Sequence, residues 1–384
     1  MKILYLTVPS FFDLEISLIR ELKKLVDIKV VMIVSPESMH LSAFSIDELE
    51  DQCDLIPANK YKGMEKYEDL INLDDWIIAN NPNNSLCNCF LLSNKIKKYY
   101  QENDFSFFHG TTNCKTSLFL LPFIYRLKNK VLTKHDPIQH NKKSFLYEFF
   151  KCRLVHKSYE NFIFLSDALT EKFCKHYSIK KESIYYSRLS VYDYFRSFKD
   201  SGNNYGNYVL FFGRISEYKG VDVLIDAFMQ TKACKDGKRL VIAGRGKIKH
   251  SIESLPTNII VINDYISNDV LSNLIRHSSF VVLPYISATQ SGCVMSAYAF
   301  NKPILATNVG DLPKSVIDGE TGMICNPNDI NKLASSIDCM FASNLHNYST
   351  TIKKLYQDKG ELSWHKAALD IVNIYKKISN DNSL

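Results

Sequence analysis

Two fixed cations stand five residues apart in the segment from Tyr208 to Gly220, which reads Tyr-Val-Leu-Phe-Phe-Gly-Arg-Ile-Ser-Glu-Tyr-Lys-Gly. Arg214 can fork onto two oxygens of a diphosphate, and Lys219 can act as a point charge. The apolar run before Gly213 predicts a buried strand over Tyr208–Phe212, which hands both charges to a loop at its C-terminal end. Ligands of open α/β sheets bind at that end of the strands. Alone, an Arg and a Lys in a loop also fit a solvated surface, so the rest of the chain has to decide.

Three further stretches bear on the choice. Ala243-Gly244-Arg245-Gly246-Lys247 follows a second apolar run, and its glycines would let backbone approach a ligand closely, or simply make a tight turn. Pro284-Tyr285-Ile286-Ser287-Ala288-Thr289-Gln290-Ser291-Gly292 is rich in hydroxyls and runs into a helical stretch, Cys293–Phe300. N–H groups at a helix start attract anions, and Ser291 or Thr289 can cap that start. From Ser279 to Gly310 there is no Asp or Glu, which favours an anion over a metal ion as neighbour. Lys302-Pro303-Ile304-Leu305-Ala306-Thr307-Asn308-Val309-Gly310 and Asp318-Gly319-Glu320-Thr321-Gly322 add another buried strand with its turns.

The elements that must position these residues alternate between strand and helix, the pattern of an α/β fold. Ile3–Leu6, Ile28–Val34, Phe105–Phe108, Lys130–Thr133 and Phe162–Leu165 read as strands, with an amphipathic helix over Leu14–Leu25. The polar, glycine-containing run Asp200–Asn207 reads as a linker. A second series follows it, with strands at Tyr208–Phe212, Arg239–Ala243, Ile259–Ile262, Phe280–Pro284 and Pro303–Ala306 and helices at Val221–Phe228 and Asp269–His277. Trp364–Ile378 is amphipathic and reads as a closing helix. The expected layout is therefore residues 1–200, residues 201–360, and a closing helix and tail over residues 361–384, with a cleft between the two halves.

Composition narrows the function classes. A chain of 384 residues, 46% hydrophobic and 23% charged, suits two soluble globular domains. Ten cysteines without a paired Cys-x-x-Cys spacing read as reduced thiols, which argues against a disulfide framework and against structural zinc. No segment approaches the roughly 20 apolar residues of a membrane span, and the N-terminal run is broken by Asp13 and Glu15, unlike a signal peptide. The reading is cytoplasmic. The net charge of +6 is unevenly spread: Lys95, Lys97 and Lys98 precede Tyr99 and Tyr100. A second basic run, from Arg126 to Lys157, is interleaved with Phe145, Leu146, Tyr147, Phe149 and Phe150. Such a surface suits an anionic membrane, or the solvated faces of ordinary helices. No nucleic-acid motif accompanies it.

Taken in order, Phe-Gly-Arg with Lys219-Gly220, Ala-Gly-x-Gly, Ala-Thr-Gln-Ser-Gly, Lys-Pro-Ile-Leu-Ala-Thr-Asn-Val-Gly and Asp-Gly-x-Thr-Gly resemble the retaining group-one (family-four) nucleotide-sugar glycosyltransferases. The likeness is close from Tyr208 to Pro327 and loose before that. It implies the GT-B architecture, two Rossmann-like domains facing across a cleft, with the C-terminal helix closing on the N-terminal domain. It further implies that the donor binds the C-terminal half, where Arg214 and Lys219 hold the diphosphate and stabilise the charge growing on it, without a metal. Gly213, Gly244, Arg245, Thr289, Gln290, Ser291 and Gly292 would line the donor site. His135, in His135-Asp136-Pro137, matches the family's catalytic-side histidine beside the donor sugar. His109, in His109-Gly110, and Asp136 are the acceptor-side candidates. No cofactor is implied, since the nucleotide-diphosphate sugar is itself a substrate.

The chain also departs from the family. Two glutamates that normally contact the donor sugar and the ribose fall on Ala288 and Ser296. Lys314 stands where the family has glutamate, and Ser10-Phe11-Phe12-Asp13 replaces a glycine-rich loop after the first strand. The resemblance implies transfer of a hexose to a saccharide, lipid-linked and bound for a surface polysaccharide such as lipopolysaccharide or capsule. Two other readings stay open at this point, a nucleotide-sugar epimerase and a non-catalytic homologue that supports a partner transferase.

Overall fold

Runs of β-branched and aromatic residues that are buried on both faces form the strands, and such runs suit parallel sheets covered by helices. The computed structural model describes residues 1–382 except 42, 113, 136–144, 168, 169, 203, 288–290 and 358; for 145–151 it describes the backbone. Two compact units result. One comprises Met1–Leu189 with Trp364–Leu384, the other Ser190–Ser363.

The first unit holds strands β1 (Lys2–Thr7), β2 (Asp27–Val34), β5 (Asp54–Pro57), β6 (Trp76–Asn80), β7 (Phe107–Gly110), β8 (Lys130–Lys134), β9 (Phe162–Phe164) and β10 (Ile184–Tyr186), beside a short hairpin of β3 (His40–Leu41) and β4 (Phe44–Ser45). Its eight-stranded sheet has the order β10-β9-β8-β7-β1-β2-β6-β5, and only β5 runs antiparallel to its neighbour. The order reverses between β1 and β7, which leaves a crevice at their C-terminal ends.

The second unit holds β11 (Tyr208–Phe212), β12 (Arg239–Ala243), β13 (Ile259–Ile262), β14 (Phe280–Leu283), β15 (Ile304–Thr307) and β16 (Gly322–Cys325). They form an all-parallel sheet in the order β13-β12-β11-β14-β15-β16, which reverses between β11 and β14. All five residues of β11 are buried, as their apolar character requires.

The unit boundary falls earlier than the polar run Asp200–Asn207 suggests. The segment after Ser190 packs on the second unit: Tyr192 N–H donates to the Met295 carbonyl, Ser272 Oγ to Phe195, and Arg276 to Phe198. A polar linker signal therefore marks the end of this strap, not the domain border. The closing helix, Trp364–Asp381, packs on Phe12–Lys23 of the first unit, with Arg188 3.2 Å from Asp370. All ten cysteines are free thiols.

Candidate functional site

The loops after β11, β12 and β14 meet at the point where the second sheet reverses. The loop after β11 runs beside that after β12, with Gly213 N–H donating to Ala243 and Ile215 N–H to Arg245. This pairing explains the glycines. Gly244 sits at φ +152°, and a Cβ there would lie 2.0 Å from the Gly213 carbonyl oxygen. The glycines thus admit a neighbouring loop. On the other side, Ile286 N–H donates 2.7 Å to the Tyr218 carbonyl, tying the β11 loop to the β14 loop.

Held this way, the cations differ in character. Arg214 and Arg245 are exposed, and neither side chain makes an ion pair or hydrogen bond among the described residues. Lys219 is half-buried; its Nζ donates 2.7 Å to the Tyr285 hydroxyl and lies 4.4 Å from the centre of that ring. Burial, and secondarily the nearby Cys293, pushes the Tyr285 phenol far above its ordinary range, so it stays protonated. Tyr285 in turn lies 3.1 Å from Ser291 Oγ. Ser291 precedes the helix Gly292–Ala299 but makes no side-chain cap bond, because its hydroxyl is turned to Tyr285. Cys293 Sγ reaches toward the Phe212 carbonyl at 3.6 Å, and the face of Gly213 closes the group.

Gly213, Arg214, Lys219, Gly244, Arg245, Ser291 and Gly292 therefore converge on one end of one sheet. Thr289, Gln290 and Ala288 lie outside the described residues. At the second missing glutamate, Ser296 is buried and donates back to the Gly292 carbonyl at 3.2 Å. Lys314 is exposed and pairs with Asp311 at 3.5 Å. Tyr285 and Cys293 were not singled out from the sequence; only the position of Tyr285 beside Pro284 pointed to it.

In the first unit, His135 follows β8 and stacks on Phe11 with ring centres 3.8 Å apart and planes 23° apart. Its Nε2 lies 3.5 Å from Oε1 of Glu15, which is 1% exposed. Glu15 also accepts from Thr7 Oγ1, and Tyr5 bonds to it as well. Asp136 lies outside the described residues. His109 needs correction. It is inside β7 in register with Tyr5, not beyond the strand, because β7 runs to Gly110. Its ring is wholly buried, with Nδ1 2.5 Å from the Tyr375 hydroxyl and Nε2 2.7 Å from Thr133 Oγ1. It joins core and closing helix and presents no surface to an acceptor.

Comparison with known proteins fits this geometry. Residues 206–343 match the family described as glycosyl transferases group 1. That segment is similar to the group 1 glycosyltransferases. An uncharacterised glycosyltransferase of Methanocaldococcus jannaschii is 30% identical over 186 residues, 45% of this chain and 49% of that protein. The chain spans about half the length of the curated relatives it matches. Over its whole length the fold is that of the GT-B glycosyltransferases. Sucrose-phosphate synthase from Thermosynechococcus elongatus superimposes with TM-score 0.63 at 14% identity, covering 99% of this chain and 100% of that one. Anabaena HepE in complex with UDP-glucose does so with TM-score 0.60 at 16% identity, covering 100% and 99%. The converging loops lie within the matched segment, whereas Phe11, Glu15 and His135 lie outside it.

Proposed function

We propose that this chain is a retaining, metal-independent hexosyltransferase that uses a nucleotide-diphosphate sugar. The observation that carries the reading is the pair Arg214 and Lys219 at the switch point of the second sheet, one exposed and without a side-chain partner among the described residues, the other locked to Tyr285. Backbone pairing fixes where both side chains start, and the bond to Tyr285 preorganises Lys219 to stabilise charge on a departing diphosphate. A nucleotide-sugar donor accords with the fold's likeness to a HepE structure that contains UDP-glucose.

In this mechanism the bond from the anomeric carbon to the diphosphate oxygen breaks as the acceptor oxygen bonds to the same face of that carbon. The acceptor's proton passes to the departing phosphate oxygen. The first unit serves the acceptor, with His135 as its candidate contact to substrate. A saccharide carried on a lipid suits the first unit's surface. Leu86, Phe90 and Leu91 stand exposed on the helix Leu86–Glu102, with Phe90 edge-on to Phe119 at 6.1 Å. Such a face can rest on an anionic bilayer beside the exposed Lys98. The side chains of the basic-aromatic stretch between 142 and 151 lie outside the described residues. No described helix is long and apolar enough to cross a membrane.

The test is release of free nucleotide and transfer of sugar from uridine, guanosine and adenosine diphosphate sugars, with and without a chelator. Arg214→Ala and Lys219→Ala should each lower turnover by about 100- to 1,000-fold, on the order of 3–4 kcal/mol. Near-normal turnover in either variant, or an absolute metal requirement, overturns the assignment.

A further inference from the structure

Glu15 is the most exceptional ionisable group in the first unit. It sits in the helix Phe12–Lys23 among buried apolar residues, and no Lys or Arg pairs with it among the described residues. A buried carboxyl is tolerated only where its oxygens find donors. Thr7 Oγ1 and the Tyr5 hydroxyl are two of them. Oε1 faces neither, and it is closed to solvent with no hydrogen bond in its present position. The same holds for one other atom beside it, Nε2 of His135, 3.5 Å away. Among the described residues, two buried polar atoms thus have only each other. Such contacts are often long in a free enzyme and tighten once substrate binds.

The surroundings fix the ring as well as the distance. Phe11 stacks on one face of the imidazole, so the residues that replace the glycine-rich loop also set its plane. An acceptor at Nε2 favours the tautomer that carries its proton there, leaving the lone pair on Nδ1. No described residue bonds to that nitrogen, whereas both nitrogens of His109 are engaged.

We infer that Glu15 is the positioning residue for His135, holding it as the Nε2–H tautomer with Nδ1 free to accept from a substrate hydroxyl. The geometry stands by itself; the substrate hydroxyl rests on the transferase reading above. Carboxylates that orient a working histidine act through its tautomer and orientation, without taking its proton.

The nitrogen-15 spectrum of the histidine side chains in the full chain, with His135 assigned by loss of its signals in His135→Gln, tests this directly. Wild type should show His135 as the Nε2–H tautomer. Glu15→Gln, whose amide oxygen can still accept, should keep it, and Glu15→Ala should give a mixture or the Nδ1–H form. In transfer assays Glu15→Ala should lower kcat by about 10- to 100-fold while the donor KM stays within about two-fold, and Glu15→Gln should recover most of the loss. An Nδ1–H tautomer in wild type overturns the proposal and needs no variant that folds. Equal impairment of the Ala and Gln variants overturns it too. If no nucleotide sugar is turned over at all, the transferase reading fails, and the wild-type tautomer still decides the role of Glu15.

Discussion

The two ends of sheet that carry the candidate chemistry are built in opposite ways. In the second unit backbone does the positioning: Gly213, Ile215, Ala243 and Arg245 pair loop with loop, and the cations project from that frame. In the first unit side chains do it: Phe11 and Glu15 face His135, and Tyr5 and Thr7 bond to Glu15. A backbone frame tolerates change in most side chains but not in its glycines. A side-chain frame tolerates modest backbone change but depends on protonation and on each partner.

The strongest way to break the first kind is Gly244→Ala. A Cβ at this position meets the Gly213 carbonyl at 2.0 Å, and φ +152° is strained for any L side chain. Both loops must move apart. We expect a loss of about 3 kcal/mol in calorimetric stability and a fall in nucleotide-sugar affinity of at least about ten-fold. Unchanged affinity with lowered stability would mean that the loop pairing supports the fold without shaping the donor site.

This contrast also explains what could be read from the sequence. The strands Tyr208–Phe212, Arg239–Ala243 and Ile259–Ile262 were read to the residue, since each is a short apolar run closed by a turn or polar residue. The loops after β11, β12 and β14 were legible because a backbone-built frame leaves its glycines and cations in short, ordered motifs. The shell around His135 was not, because its members are scattered from Tyr5 to His135 and only the fold assembles them. Glu15 registered only as a charge interrupting an apolar run, although its place one turn from Phe11 and Phe12, on the apolar side of the helix, signalled a buried carboxyl. His109 was misplaced by two residues of strand: Phe105 and Ser106 precede β7, so the histidine falls inside the sheet. Strands β3, β4, β5, β10 and β16 went unread, their runs being short or weakly apolar, and so did β6 (Trp76–Asn80).

Acid probes the core of the first unit with a smaller effect. Burial pushes His109 and His156 down to about 3, so both stay neutral in the folded protein. Above about pH 6.5 the unfolded chain is neutral at these positions too, and the full stability is present. As pH falls from about 6.5 toward about 3, the unfolded state takes up protons that the folded state does not, and stability is lost. Each histidine should contribute a loss on the order of 2 kcal/mol by pH 5. Both tryptophans, Trp76 and Trp364, belong to the first unit, so their fluorescence during urea unfolding reports on it. His109→Gln should remove about one proton from the pH slope. A slope unchanged by that substitution would mean that His109 is protonated in the folded state, in spite of its burial.

The smallest expected effect is the most specific to the backbone-built site. Tyr285→Phe deletes the hydroxyl that accepts from Lys219 and meets Ser291, and keeps the ring that lies under the ammonium. A hydrogen bond of this kind contributes about 0.5–1.5 kcal/mol, and the cation–ring attraction should survive. The donor KM should therefore rise about two- to ten-fold with little change in stability. The direction discriminates between two roles for the hydroxyl. If it preorganises Lys219 for the diphosphate, its loss weakens donor use. If it restrains Lys219 away from the ligand, its loss frees the ammonium and donor affinity rises. The preorganising role is favoured by the backbone around it, since the Tyr218 carbonyl, one residue before Lys219, already anchors the β14 loop through Ile286. A cation fixed from both sides has little freedom left for a hydroxyl to restrain.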